Sequence, residues 1–412
     1  MKLQVYLHTL IMNSILASVL LISTGTLHAQ TKGDSLKTKL HDHPELSFDI
    51  GKKFSLIGQV GFRLEYIHNE RFAETDETAD DDHRFRERVR LRFGGEFKPS
   101  EKFTAGFRLS TGQSNYPASG WSSFSDAFRR DPIAVDRVYI NLNLDRFRFQ
   151  FGSNQNSMYH PTDMIWDTDV QPAGLAQVYQ TDRLEVVLGQ YMIGEIRSLS
   201  DDIVSGSFLI SNGVNYSFLP DHNLRIGLFQ YYYNKPDIIA YSIQEGDLDG
   251  DFKTNRLDPN DPNKFFSNFH SLGLSADYHW NRWRVVGEFA ANLGANKDDT
   301  LGSAYDKKEN IAGGFLIRHG LLKKPGDWSV EAGYFYIESD AVIAAFNSDD
   351  YQQTNVHSVP VFLRVLLPSD IVIVWDTYFQ KRINTAHFLS GGVMHDENAL
   401  KIRSRITLQL GF

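Results

Sequence analysis

The sequence predicts an all-β protein: a transmembrane antiparallel β-barrel of about 16 strands, with short periplasmic turns and long extracellular loops. Three observations predict it. Segments of alternating apolar and polar residues recur along almost the whole chain, the connections between them alternate short and long, and the chain ends on an aromatic residue, Phe412. Successive side chains of a strand point to opposite faces, so alternation marks a sheet with one apolar and one polar side. Outer-membrane barrels of Gram-negative bacteria combine an even strand number, an outward apolar band and unequal connections at the two ends.

The first 29 residues read as an export signal. Lys2 supplies a positive start, Leu10 to Ile22 is mostly apolar, and Leu27-His28-Ala29 offers a small residue for cleavage before Gln30. The apolar run falls short of the ~20 residues that a membrane helix needs. Residues 30–52 read as a short polar N-terminal periplasmic segment, and 53–412 as the barrel. Mean hydropathy is slightly negative. That fits a barrel, because only alternate residues of each strand touch lipid and ~9–11 residues cross the bilayer. Cysteine is absent, which excludes disulfides and thiolate metal sites. The net charge of −9 argues against a nucleic-acid partner. Phe and Tyr supply 29 and 18 residues, enough for aromatic girdles at both interfaces.

Candidate strands fall near 54–67, 84–97, 103–112, 134–144, 146–153, 174–180, 183–193 and 203–217. The second half adds 223–233, 267–280, 282–293, 309–319, 328–338, 356–367, 370–380 and 401–412. Lys98–Lys102, Asp145, Thr181-Asp182, Leu219–His222, Asn281 and Pro368-Ser369 are tight connections rich in turn formers. Gly320 to Asp327 is longer. Long polar stretches lie between the tight turns. Trp280, Trp283 and Trp328 flank short connections, where an indole favours the headgroup level. Pro360 lacks an amide donor, so it is expected to mark a bulge or a strand end.

In the last segment, Ile402, Ile406, Leu408, Leu410 and Phe412 share one parity, broken only by Ser404, while Arg403 and Arg405 occupy the other. From His83 to Phe97, Arg84, Arg86, Arg88, Arg90 and Arg92 share a parity, with Glu87 a misfit on the apolar one. An arginine facing lipid near the midplane costs ~2–4 kcal/mol, so the row is expected to face the lumen. The same test turns Arg63, Arg108, Arg137, Arg146, Arg148, Arg403 and Arg405 inward, with Glu65, Glu96 and Asp145 as the obvious inward acids. Barrel closure places the last strand beside the first, so these groups form one basic sector. A solvated wall paired with loop carboxylates is one reading of it. A file of guanidiniums that guides anions through a pore is the other. The third long loop, Asn154 to Ala173, carries Tyr159, Asp163, Trp166, Asp167 and Asp169. Folded inward, it would set acids against the basic sector across a narrowed waterway.

From Arg84 to about Gln190 the chain resembles the putative porin family of Gram-negative bacteria. The residues that carry the resemblance are Arg86-Glu87-Arg88-Val89-Arg90-Leu91-Arg92, Gly106–Gly112, Asp136–Ile140, Thr162–Asp169 and Gly174-Leu175-Ala176. The resemblance implies a water-filled outer-membrane channel and no catalytic residues. It does not imply the solute, and small hydrophilic or anionic solutes are expected from the basic sector and the third loop instead. Outer-membrane lipid and the barrel assembly machinery are the implied partners, and barrels of this strand number are commonly homotrimers. The arginine-rich strand alone also resembles alginate-export barrels, so export of an anionic polysaccharide is the alternative.

Asp247, Asp249 and Asp251, with Gly250, look like a calcium loop, but the spacing is not that of an EF-hand and Asp258 stands where its bidentate Glu belongs. A solvated acidic turn, common in so long a loop, accounts for them better, and no other cofactor is implied. Catalysis has little support. His270-Ser271 and His357-Ser358 put neighbours on opposite faces of a strand, and no G-x-S-x-G occurs. Barrel-like sequence begins by about residue 54, which leaves no room for the plug domain of a TonB-type transporter.

Overall fold

The computed structural model describes residues 46–49, 53–69, 82–124, 132–197, 204–218, 223–249, 252–302, 305–384 and 400–411. Sixteen strands make the barrel. They are β1 (Phe54–Asn69), β2 (Asp82–Ser100), β3 (Phe103–Thr111), β4 (Ile133–Leu144), β5 (Phe147–Ser153), β6 (Ala173–Gln180), β7 (Leu184–Arg197) and β8 (Val204–Phe218). Then follow β9 (Leu224–Asn234), β10 (His270–Trp280), β11 (Trp283–Asn292), β12 (Ile311–Gly320), β13 (Trp328–Ile337), β14 (Val356–Leu366), β15 (Val372–Arg382) and β16 (Lys401–Gly411). Each pairs antiparallel with its chain neighbours. Pairing of β16 with β1, from Gly411 opposite Gln59 to Lys401 opposite Asn69, closes the sheet.

All sixteen lie within a few residues of the segments that alternation marks. Of the expected N-terminal arm, Leu46–Asp49 is described and forms a strand. It pairs with Ser55–Gly58 and occupies the place beside β1 that β16 leaves when it ends. The expected signal lies outside the described residues.

Alternation becomes radial direction. Phe62, Phe85, Leu91, Phe93, Phe107, Val135, Leu228, Leu274, Phe289, Phe315 and Trp375 are exposed on the outer wall, which is the band a bilayer would cover. Trp280, Trp283 and Trp328 stand on this face at the end with the short turns, with His319 between the last two rings. Ser404 interrupts the outer apolar parity without leaving a bare hydroxyl. It accepts from Trp375 Nε1 at 3.2 Å and lies 2.9 Å from the Thr377 hydroxyl.

The tight turns follow from residues that tolerate positive φ. Leu144 opposes Phe147 and Trp280 opposes Trp283, so two residues close each hairpin, and Asp145 and Asn281 take φ of 55° and 53°. In the longer turn after β12, the Asp327 carboxylate accepts the amides of Lys323 and Lys324.

Two irregularities differ from the simple pattern. Pro360 marks neither a bulge nor a strand end: β14 runs through it, and its pairing with β15 is continuous. Only the ladder to β13 is interrupted, between Val361 and Ser358, without change of register. On β4 a bulge at Asp136 lets Arg108 oppose Arg137 while Leu109 opposes Val135. The extra residue shifts the parity. Asp136 therefore points inward to Arg108, although strict alternation from Val138 would send it outward.

The extracellular half of the barrel is packed. Inward Phe229, Tyr231, Tyr233, Phe335, Ile337 and Tyr378 join one buried cluster with Met158, Met164, Ile165 and Trp166 of the third loop. Ile238, Ile239 and Ile243 also belong to it, from the helix α1 (Asp237–Glu245), as do Val342 and Ile343 of the connection after β13. Helix α1 begins after Pro236, carries Asp237 in its first turn and ends on Gly246 in the left-handed region. The periplasmic half of the same wall is charged instead, with Asp277, Arg284, Arg318, Glu331 and Arg364 facing in.

The face assignment predicts the effect of charge on it. Leu228→Arg, in the middle of β9 on the outer wall, is expected to cost about 2–4 kcal/mol of unfolding free energy in lipid vesicles. Denaturant titration of the refolded barrel measures it, and a neutral result would mean that this face does not meet lipid.

Candidate permeation site

The basic sector is built by register. Asp376 on β15 opposes Arg405 on β16, Arg405 opposes Glu65 on β1, and Glu65 opposes Arg86 on β2. One level of the wall thus alternates in sign across four strands. Glu65 is fully buried and joins Arg86, Arg403 at 3.0 Å and Arg88 at 3.8 Å. Arg405 reaches Asp376 at 2.5 Å. One level toward the periplasm, Arg63 opposes Arg88, and its Nε donates to Thr407 at 3.1 Å.

Loops bring the remaining counter-charges. Asp350, between β13 and β14, meets the guanidiniums of Arg405 and Arg403. Asp169 of the third loop binds Arg92 at 2.6 Å and approaches Arg90 to 3.6 Å. Arg137 donates to Gln171 at the end of that loop. Trp121, from the connection after β3, lies over Gly61, where a Cβ would come within 2.7 Å of its ring. The Arg63 and Arg90 guanidiniums stack on it at 3.9 and 4.6 Å, and Arg88 donates to its carbonyl at 2.9 Å. Stacking adds to the electrostatic compensation that nearby carboxylates such as Asp169 supply.

The third loop runs a circuit inside the barrel. Asn156 donates to Tyr231 on β9, and Tyr159 donates to Asp277 on β10, with Arg225 over its ring at 3.7 Å. His160 and Thr162 bind Glu288 on β11. Trp166 then stacks between Tyr231 and Phe346, and Asp169 arrives at β2. Because β2 and β10 lie on opposite walls of a sixteen-strand ring, the loop spans the lumen.

This placement changes the expected electrostatics. Asp169 touches the arginines directly, the Asp167 carboxylate accepts the Asp169 amide, and the backbones of Asp163 and Asp167 are tied to the connection after β13. The Asp163 carbonyl accepts from Ser348, and the Asp167 amide donates to Phe346. Burial, with Asp163 and Asp169 nearby, raises the Asp167 carboxyl well above its ordinary value. Burial and then Asp350 push Asp349 up to about 6. Against the opposing effect of burial, Arg405 and Arg403 hold Asp350 well below the usual carboxylate range.

Other expected residues fall elsewhere. Arg146 and Asp145 form an exposed periplasmic turn and line no wall, because the hairpin takes two residues where the alternation allowed one. Arg84 is exposed at the extracellular rim, and Glu87 lies above the end of β3. Arg148 is half-buried near the periplasmic end, without an ion-pair partner among the described residues. Asp247 and Asp249 follow α1, and Asp251 lies outside the described residues. Among those described, no group of three His, Cys, Asp or Glu side chains is placed to hold a metal.

The sequence profile of the family described as Putative porin matches residues 53–235 and 242–360. The chain belongs to this family. It is a non-enzymatic outer-membrane channel protein. Among solved structures, the Salmonella typhi OmpF complex with daunomycin superposes with a TM-score of 0.52 at 10% identity, covering 89% of this chain and 100% of that one. A Rhodopseudomonas blastica porin triple mutant gives 0.47 at 11%, with 87% and 100% covered. The trimer form of Vibrio cholerae OmpT gives 0.46 at 9%, with the same coverage. The search of curated proteins found no match.

Sequence reasoning missed Trp121, Asp349, Asp350 and the inward role of Asp136 in this porin. The aromatic run Tyr231-Tyr232-Tyr233 carried a signal, because apolar residues on both faces of a strand require a cover inside the barrel.

The Asp349 carboxyl gives a pH dependence with a definite sign. As pH falls through about 6, Asp349 gains its proton while Asp350 stays charged, so the lumen becomes more positive. Anion preference, read as a reversal potential across a salt gradient, is expected to rise over that range. Asp349→Asn should make the rise smaller there.

Proposed function

We propose that this porin passes small hydrophilic solutes passively and favours anions. The observation that carries the reading is an imbalance of charge in the basic sector. Arg86, Arg88, Arg90, Arg92, Arg108, Arg403 and Arg405 pair with the carboxylates of Glu65, Asp136, Asp169, Asp349, Asp350 and Asp376, and Arg63 and Arg137 lie in the field of the same acids. Among the described residues, these nine guanidiniums face those six carboxylates and the inward Glu96, while Asp167 near Arg92 is pushed toward its neutral form, so the wall stays positive. Both earlier readings of the arginines therefore contribute: most are paired, yet the sector keeps an excess that attracts anions.

The third loop and the connections after β3, β9 and β13 narrow the extracellular half, so solutes must be small. The charged periplasmic half, with Arg148 and Arg318 on its wall, is the wetter vestibule. Residues 1–29 serve as a cleaved signal, residues 53–412 as the barrel, and the working form is a homotrimer delivered by the barrel assembly machinery. An exporter of an anionic polysaccharide would use the same arginines, but the packed extracellular half speaks for small solutes over a polymer.

Planar-bilayer recording tests this. A unit charge about 4 Å from an ion's path through water is worth ~1 kcal/mol to an anion and the opposite to a cation, so Arg88→Ala should lower the anion-to-cation permeability ratio by up to about thirtyfold. A barrel without conductance that binds a polyuronate would replace the porin reading with the exporter.

A further inference from the structure

At the extracellular rim, away from the lumen, three side chains converge on the outer face of β1 and β2. His68 and His83 are cross-strand partners. Their rings stack with centroids 4.7 Å apart, and their Nδ1 atoms stand 3.2 Å from one another. The Tyr66 hydroxyl lies 3.0 Å from the same Nδ1 of His83.

A neutral imidazole has one acceptor nitrogen and one donor nitrogen. If His83 Nδ1 accepts, the Tyr66 hydroxyl and a His68 N–H compete for a single lone pair. If it donates to His68, the hydroxyl loses its acceptor. A cation removes the conflict, because both nitrogens and the oxygen can then direct lone pairs at one point. Two ligands on a tetrahedral ion with bonds of ~2.0–2.1 Å stand roughly 3.3 Å apart, close to the separation of the two nitrogens.

We infer that His68, His83 and Tyr66 form a site for a divalent transition ion that favours imidazole, of the zinc or copper(II) kind. Imidazole suits such ions, whereas calcium and magnesium take oxygen ligands. A bound ion would clip β1 to β2 where their pairing ends. It would also leave the pore untouched, since all three ligands are on the lipid-side parity of Phe62 and Phe85.

His41 and His43 of the N-terminal segment could also bind zinc, so the test reads individual residues. The refolded full chain in detergent micelles is titrated with zinc chloride and pulsed with diethyl pyrocarbonate. Modification of each histidine is then measured by peptide mass spectrometry. Micromolar zinc is expected to protect His68 and His83 together by more than tenfold, and equal magnesium should protect neither. Protection should weaken as pH falls, because the ligands must be deprotonated. In His83→Gln, checked for folding by its heat-modifiable migration, His68 should lose protection at the same zinc concentration. Unchanged modification of the pair with zinc, or full protection of His68 in His83→Gln, would overturn the proposal.

Discussion

A guanidinium withdrawn from water needs a counter-charge or a ring face, and much of this barrel's interior follows from that constraint. The pleat turns the arginines of β1, β2, β3, β4 and β16 inward, away from a lipid face where they would be costly. Within the wall, Glu65, Asp136 and Asp376 compensate some of them. The others need Asp169, Asp350 and Trp121, which arrive on loops far away in the chain. The inward course of those loops and the burial of the arginines are therefore parts of one arrangement. Removing either partner would leave the other buried and uncompensated.

The opposite wall imposes a second constraint of a different kind. Its extracellular half presents aromatic and aliphatic side chains to the inside, and water would contact them if no loop entered. The third loop, helix α1 and the connection after β13 cover them and interlock. Asn255 donates to the Ser339 and Val342 carbonyls, and buried Arg256 pairs with Asp340. The lumen is consequently graded along its axis. The extracellular side is packed around charge pairs and aromatic stacks, and the periplasmic side is lined by polar and charged groups.

How far the sequence could be read depended on the range of the interaction. Every strand was legible, because the alternation that marks it is set by the pleat and by the contrast between lipid and lumen. Ser404 and Pro360 looked like faults in the pattern. The first is answered by a hydroxyl and an indole on the neighbouring strand, and the second by a ladder that tolerates one missing donor. The inward role of Asp136 was missed, because a single extra residue inverts parity and leaves no local mark. Arg146 was misread because the turn there needs two residues.

The sequence by itself determined the barrel, its strand order and the sides of the wall, since each rests on contacts between residues close along the chain or on period-two alternation, while the basic sector also needed the closure of β16 on β1. Only the tertiary structure decided which carboxylate meets which arginine, that the third loop spans the lumen, and that the connection after β13 holds Arg403 and Arg405 through Asp350. Those pairings join residues tens to hundreds of positions apart. Their choice depends on the closed ring bringing β16 beside β1, and on a low-dielectric interior that makes an unpaired charge expensive.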